Sequence, residues 1–165
     1  MPKVSLRYHQ DRDAQRLYDI LNNPHFIYFP AEVKSVAAEV AWIKLNIAKR
    51  RANLEWSYAI LYQDVVAGGI GIKINQTRKY IGEIGYFIDE EYWGRGIATA
   101  AVKLIENIGF KKLGLSRLEI LMRPENKPSE KVAKKNGYKK EGKLKKYLKD
   151  KQGQLHDAWL YAKIR

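Results

Sequence analysis

Val4, Leu6 and Tyr8 alternate with polar neighbours, a period of two that predicts a first strand. Asp11 then reads as a helix cap, and Ala14, Leu17, Tyr18 and Leu21 recur at the spacing of one buried helical face. Asn22-Asn23-Pro24 closes that helix, and an aromatic stretch with Phe26, Tyr28 and Phe29 runs on to Ala31. Ser35 is placed to cap a second helix carrying Val36, Val40, Ile43, Leu45 and Ile47, with Lys49-Arg50-Arg51 at the end where cations suit the helix dipole. Trp56 to Tyr62 and Val65 to Ile72 flank Gln63-Asp64 and predict a hairpin. Tyr80 to Ile88 is a further strand, with Gly82 and Gly85 as candidate bulges.

Helical spacing returns from Gly94 to Phe110, stopped by Lys111, Lys112 and Gly114. Leu118 to Met122 is an apolar strand, Asn126 to Asn136 a helix ended by Gly137. Two strands near Tyr138 to Leu148 and Leu155 to Ile164 close the chain through Lys151-Gln152-Gly153. That order predicts a mixed α/β domain rather than the regular alternation of a doubly wound sheet. The unit from Tyr80 to Met122 should be a right-handed parallel crossover. No repeat, linker or low-complexity stretch divides the 165 residues, which suit a single domain spanning 1–165.

Composition narrows the chemistry. Cysteine is absent, which excludes disulfides, thiolate catalysis and thiolate-bound zinc; His9, His25 and His156 are too scattered to suggest a metal. No apolar run approaches the ~20 residues of a membrane span. The start alternates like a strand instead of forming a secretory signal, so a cytoplasmic protein is expected. Thirty-one Lys+Arg against 18 Asp+Glu give a net charge of +13, with ten lysines crowded between Lys131 and Lys151. Such a field suits a polyanionic partner, and it equally suits a well-solvated surface.

The sharpest local signal is Asp89-Glu90-Glu91-Tyr92-Trp93-Gly94-Arg95-Gly96-Ile97-Ala98-Thr99, between a strand and a helix. Two glycines one residue apart let a ligand approach the backbone. The first-turn amides have no helical partners and the helix dipole adds positive charge, so the turn suits a pyrophosphate, with Arg95 alongside. It lacks the third glycine and downstream acid of a dinucleotide fold and the Gly-Lys-Ser/Thr of a P-loop.

With its flanking strand and helix, this turn resembles the cofactor motif of the GNAT superfamily of N-acetyltransferases, Gln/Arg-x-x-Gly-x-Gly/Ala. Glu91 departs from the usual first position. Glu83 to Asp89 and Tyr92 to Thr99 together resemble the branch of RimJ and RimL, the ribosomal-protein N-terminal acetyltransferases. Arg123-Pro124-Glu125-Asn126-Lys127-Pro128-Ser129 with Lys135-Asn136-Gly137-Tyr138 is similar to that branch's second block, and His156 to Tyr161 to its last strand. The resemblance covers nearly the whole chain, weakly before Trp56 and strongly after Gly82.

It implies the acyl-CoA N-acyltransferase fold: a mixed sheet of about seven strands with a splayed parallel pair, flanked by about four helices. Acetyl-CoA is the implied co-substrate, with no metal. Tyr86, Phe87 and Ile88 would offer backbone groups to the pantetheine. Gly94, Arg95, Gly96, Ile97, Ala98 and Thr99 would hold the pyrophosphate. Asn126 would contact the cofactor, and it would also serve as a helix N-cap. Glu83 is the candidate base, since burial on that strand would raise its pKa. Many superfamily members carry a tyrosine where this chain has Ala133. Ser129 is therefore the implied contact for the departing sulfur, with Tyr138 and Tyr161 as alternatives. Tyr28 and Phe29 could line an acceptor slot.

The expected reaction is acetyl transfer to a primary amine, foremost a protein N-terminal α-amine of the ribosomal kind. A small amine such as a polyamine or aminoglycoside is the alternative. A non-catalytic, basic RNA- or ribosome-binding module is an alternative of another class, and weak RNA contact is compatible with catalysis. Monomer and homodimer both remain open.

Overall fold

The structure, a computed structural model, describes residues 3–165. Seven strands form one sheet: β1 (Val4–Arg7), β2 (Glu55–Tyr62), β3 (Val65–Ile74), β4 (Ile81–Ile88), β5 (Arg117–Met122), β6 (Lys139–Lys149) and β7 (Leu155–Ile164). Their order is β1-β2-β3-β4-β5-β7-β6, antiparallel throughout except for β4 and β5. Four helices accompany it: α1 (Ala14–Leu21), α2 (Val36–Arg51), α3 (Ile97–Asn107) and α4 (Lys127–Lys135). The chain thus has the mixed α/β architecture that its pattern predicts.

Each face of the sheet carries its own core. Ile97, Ala101, Val102 and Ile105 of α3 bury against Ile70, Ile72, Ile84, Leu118 and Ile120. On the opposite face, Ala14, Leu17 and Ile43 of α1 and α2 pack with Val66, and Phe87 joins them from β4. On β4 alternate residues feed the two cores, Ile84 and Ile88 towards α3 and Phe87 towards α2. On β3 Val66 shares the parity of Ile70 but reaches the other core across the irregularity opposite Ile60 and Leu61.

Three local readings are corrected. Asp11 caps nothing; it opens a 3-10 turn, Asp11–Asp13. Asp13 instead accepts the Gln10 amide at 2.8 Å and a forked pair of bonds from Arg7 at 2.7 and 2.9 Å. In α2, Leu45 and Ile47 face solvent, while Glu39 and Asn46 lie buried on the inner side with Ile43. Position around the helix overrides polarity here, and burial raises the Glu39 pKa. Ser35 does cap α2, accepting the Ala38 amide at 3.0 Å.

Third, neither Gly82 nor Gly85 is a bulge. The β3–β4 register runs unbroken from Gly68↔Ile88 to Ile74↔Gly82. The irregularity lies between β2 and β3, where Ile60 pairs with Gly68 but Leu61 with Val66. Gly82 is small because α3's connection presses on it: an added Cβ would meet Ile72 Cγ2 at 2.6 Å and Leu115 Cδ1 at 2.8 Å. Gly82→Ala should therefore lower the unfolding free energy by about 1–3 kcal/mol through overpacking, read by urea denaturation. Gly85→Ala, with nothing within 4 Å, should cost less.

Candidate active site

β4 and β5 pair only at Ile81↔Arg117, Gly82↔Leu118 and Glu83↔Glu119, then separate although both strands continue. β5 stays paired to β7 along its whole length, so the opening lies on its β4 side. Hydrogen bonds at both ends of the β3–β4 ladder, Asp89 N to Ala67 O at 2.8 Å and Asn75 N to Ile81 O at 3.0 Å, fix the parity of the backbone groups. Odd-numbered residues of β4 bond to β3, so the even ones, Ile84, Tyr86 and Ile88, turn their N–H and C=O towards the opening. Phe87 is thereby corrected: its backbone is directed to Gly69 on β3, and it contributes a ring instead.

The glycine turn lies just beyond β4. Gly94 and Gly96 both have φ +76°, and a Cβ on either would meet nothing within 4 Å. Glycine is required there by backbone conformation, and the space above the backbone is open. Gly96 stands at the α3 N-terminus without a side-chain cap, and the Ala100 amide reaches its carbonyl at 3.1 Å. The amides of Ile97, Ala98 and Thr99 precede that first helical bond and have no helical acceptor. Arg95 is exposed, its guanidinium 5.4 Å from the Tyr92 ring. The turn therefore fits a diphosphate.

α4 begins beside the same opening. Asn126 caps it, its Oδ1 accepting the Ser129 amide at 3.3 Å. The Ser129 hydroxyl lies 2.8 Å from the Tyr86 hydroxyl, a pairing that sequence spacing alone did not reveal. Burial pushes the Tyr86 pKa up to about 12, so the phenol keeps its proton at neutral pH. The other two tyrosines are engaged elsewhere. Tyr161 donates to Glu130 at 2.6 Å, and Tyr138 is buried in the α3 core.

Glu83 sits on the opposite face of β4. It lines a cavity of about 200 Å³ with His9, Phe29, Trp42, Ser57, Lys73 and Phe87 among its walls. The Phe29 and Phe87 ring centroids are 4.8 Å apart, and His9 meets Trp42 edge-on at 5.2 Å. The sheet register sets Glu55, Lys73, Glu83 and Glu119 in one row across four strands. Glu83 opens to solvent through the cavity, yet the protein around it raises its pKa; Lys73 opposes that rise and Glu119 adds to it. Burial lowers the His9 pKa to about 4, which leaves a neutral imidazole in the wall.

Residues 3–139 match the family model described as "Acetyltransferase (GNAT) domain". The chain belongs to the GNAT acetyltransferase family. It is 34% identical to "Uncharacterized N-acetyltransferase p20" of Bacillus licheniformis, over 99% of this chain and 93% of that one. It is 25% identical to the L-amino acid N-acetyltransferase AaaT of Escherichia coli over the whole of both. Among solved structures it is similar to Mycobacterium smegmatis RimJ in complex with CoA-disulfide, with TM-score 0.89 and 28% identity over 98% of this chain and 81% of that one. The ribosomal-protein-S5-alanine acetyltransferase of Vibrio fischeri gives TM-score 0.88 and 25% identity, over 99% and 94%. This acetyltransferase takes acetyl-CoA as co-substrate.

The acceptor-side residues divide between two spaces. Phe29 joins the cavity of Glu83, whereas Tyr28 lies under Arg123, whose guanidinium carbon is 5.2 Å from the ring. Nothing in the sequence places His9, Trp42, Ser57, Lys73 or Arg123 in the site, because only the sheet register and helix packing bring them here. Tyr86→Phe and Ser129→Ala should each lower kcat of the acetyltransferase, by roughly a hundredfold or more if the pair conducts one proton. The double variant should fall no further than the worse single one. Multiplying effects would show that the hydroxyls act separately.

Proposed function

We propose that this acetyltransferase acts on an α-amine, foremost the N-terminus of a protein of the ribosomal kind, with the cytoplasm as the implied compartment. The observation that carries the reading is the opposition of Glu83 on one face of β4 to the Tyr86–Ser129 pair on the other. The donor supplies a thioester carbonyl activated toward an amine. The open turn at Gly94 to Thr99 binds its diphosphate, and the even-numbered backbone groups Tyr86 and Ile88 align its pantetheine arm. Asn126 holds the start of α4 against that arm. Glu83, directly or through water, takes the proton that the incoming ammonium must lose. Tyr86 and Ser129 keep a proton at hand for the departing sulfur.

Two features favour an α-amine. It titrates near ~8 against ~10.4 for lysine, so a carboxylate with an upward-shifted pKa deprotonates it more readily. A larger groove of about 590 Å³ has Phe26 in its wall, packed edge-on at 6.5 Å against Phe87 of the cavity, and offers room for the chain behind the amine. The S5-alanine acetyltransferase and AaaT, by their names, both take acceptors that present an α-amine.

Acetyl-CoA at ~100 times its dissociation constant should stabilise the fold by roughly 2.7 kcal/mol, visible as a thermal shift. Gly96→Glu should erase that shift by putting bulk and negative charge into the turn; an unchanged shift would move the diphosphate elsewhere. Glu83→Gln should retain the shift and cut turnover of N-terminal peptides by ~10²–10⁴. In the wild type, the base must be ionised and its pKa is raised. The acidic limb of kcat/KM should therefore lie above the ordinary glutamate value of ~4.3 and disappear in Glu83→Gln. Full activity in that variant would remove Glu83 from the mechanism.

A further inference from the structure

The groove beside the cavity is walled by Leu21, Asn23 and Phe26 before α2, by Glu32, by Asp150 and Lys151 in the β6–β7 turn, and by Arg123 after β5. Arg123 stands where β5 leaves the opening, and its side chain is only 21% exposed. Its Nε is buried without a hydrogen bond, and its carboxylate contact is a loose ion pair with the exposed Glu125 at 3.5 Å. Among the other half-buried arginines, Arg7 forks onto Asp13, Arg16 reaches Asp89 and Arg117 donates to Glu119 and Glu141, while Arg50 lies over the Tyr8 ring. A buried guanidinium donor left unsatisfied is costly, and in a native protein it calls for an explanation. Tyr28 holds the guanidinium in position by its ring face.

The other charges of the groove do not supply the missing acceptor. Both Asp150 oxygens are engaged, one by His156 at 2.7 Å and one by the amides of Gln152 and Gln154 at 2.9 Å each. Glu32 is exposed, and Lys151 adds a second cation.

We infer that Arg123 is a specificity residue that receives a carboxylate of the acceptor. This rests on the α-amine reading above and goes further, because it states which α-amines are preferred. The carboxylate has two sources, an acidic side chain near the N-terminus of a peptide or the α-carboxylate of a free amino acid. The size of the groove favours the peptide.

The test uses the whole protein, acetyl-CoA and C-terminally amidated hexapeptides that differ only as Asp or Asn at position two or three. L-Serine against serinamide forms the second arm. Wild type should favour the acid over its amide by about tenfold to a hundredfold in kcat/KM, the span of one hydrogen bond to a charged group, chiefly through KM. Arg123→Gln should collapse that ratio to near one, Arg123→Lys should keep part of it, and Arg123→Glu should favour a lysine peptide instead. A preference confined to the hexapeptides assigns the side chain, and one confined to serine assigns the α-carboxylate; both support the inference. Equal turnover of acid and amide by wild type, or the same ratio in Arg123→Gln, overturns it. Turnover of no α-amine at all, while acetyl-CoA still raises the unfolding temperature, overturns the acceptor reading and the inference with it.

Discussion

The early parting of β4 from β5 governs the rest of the molecule. Three residue pairs hold the two strands together, and beyond Glu83↔Glu119 the edge of β4 has no strand beside it. Backbone amides and carbonyls inside a protein need partners. An edge interrupted in mid-sheet is therefore a place where an extended ligand can complete the ladder. β7 keeps β5 fully paired on its other side, so the gap is a fixed property of the fold and needs no fluctuation to appear. The helices α3 and α4 both begin beside it, each bringing unpaired N-terminal amides.

From that constraint follows a division of labour across β4. Alternate residues of a strand point to opposite faces. Glu83 and Phe87 therefore belong to the α2 side with the aromatic cavity, while Tyr86 belongs to the α3 side with Ser129. In the proposed reaction, proton removal from the amine and proton delivery to sulfur call for groups of opposite character. One is a carboxylate whose pKa is raised, and the other a phenol held near 12. Positions three apart on one strand, Glu83 and Tyr86, carry the two groups on opposite faces.

Much of this was legible because it is local. The glycine turn, the cap at Asn126 and the order of elements are written in contiguous residues, and Glu83 and Ser129 are found on the strand and helix assigned to them. What was not legible depends on how distant parts meet. Leu45 and Ile47 read as core positions by composition, yet helix rotation turns them outward and buries Asn46. Gly82 reads as a bulge because glycine interrupts strands, whereas its purpose is to admit Leu115 and Ile72. Phe87 was read as a backbone contact, and only the register with β3 shows that its amide is directed the other way. Nothing about Arg123 in sequence signals that its donor ends up without a match.

Glu90 has a consequence of another kind. It accepts from Asn23 at 2.6 Å and meets His25 at 2.7 Å, while Phe26 packs edge-on against Trp93 at 5.9 Å. The Asn23–Phe26 segment is thus riveted to the residues that lead into the glycine turn. Under the proposed function, a ligand that orders one of them would order the other as well, and the second substrate would meet a segment already fixed.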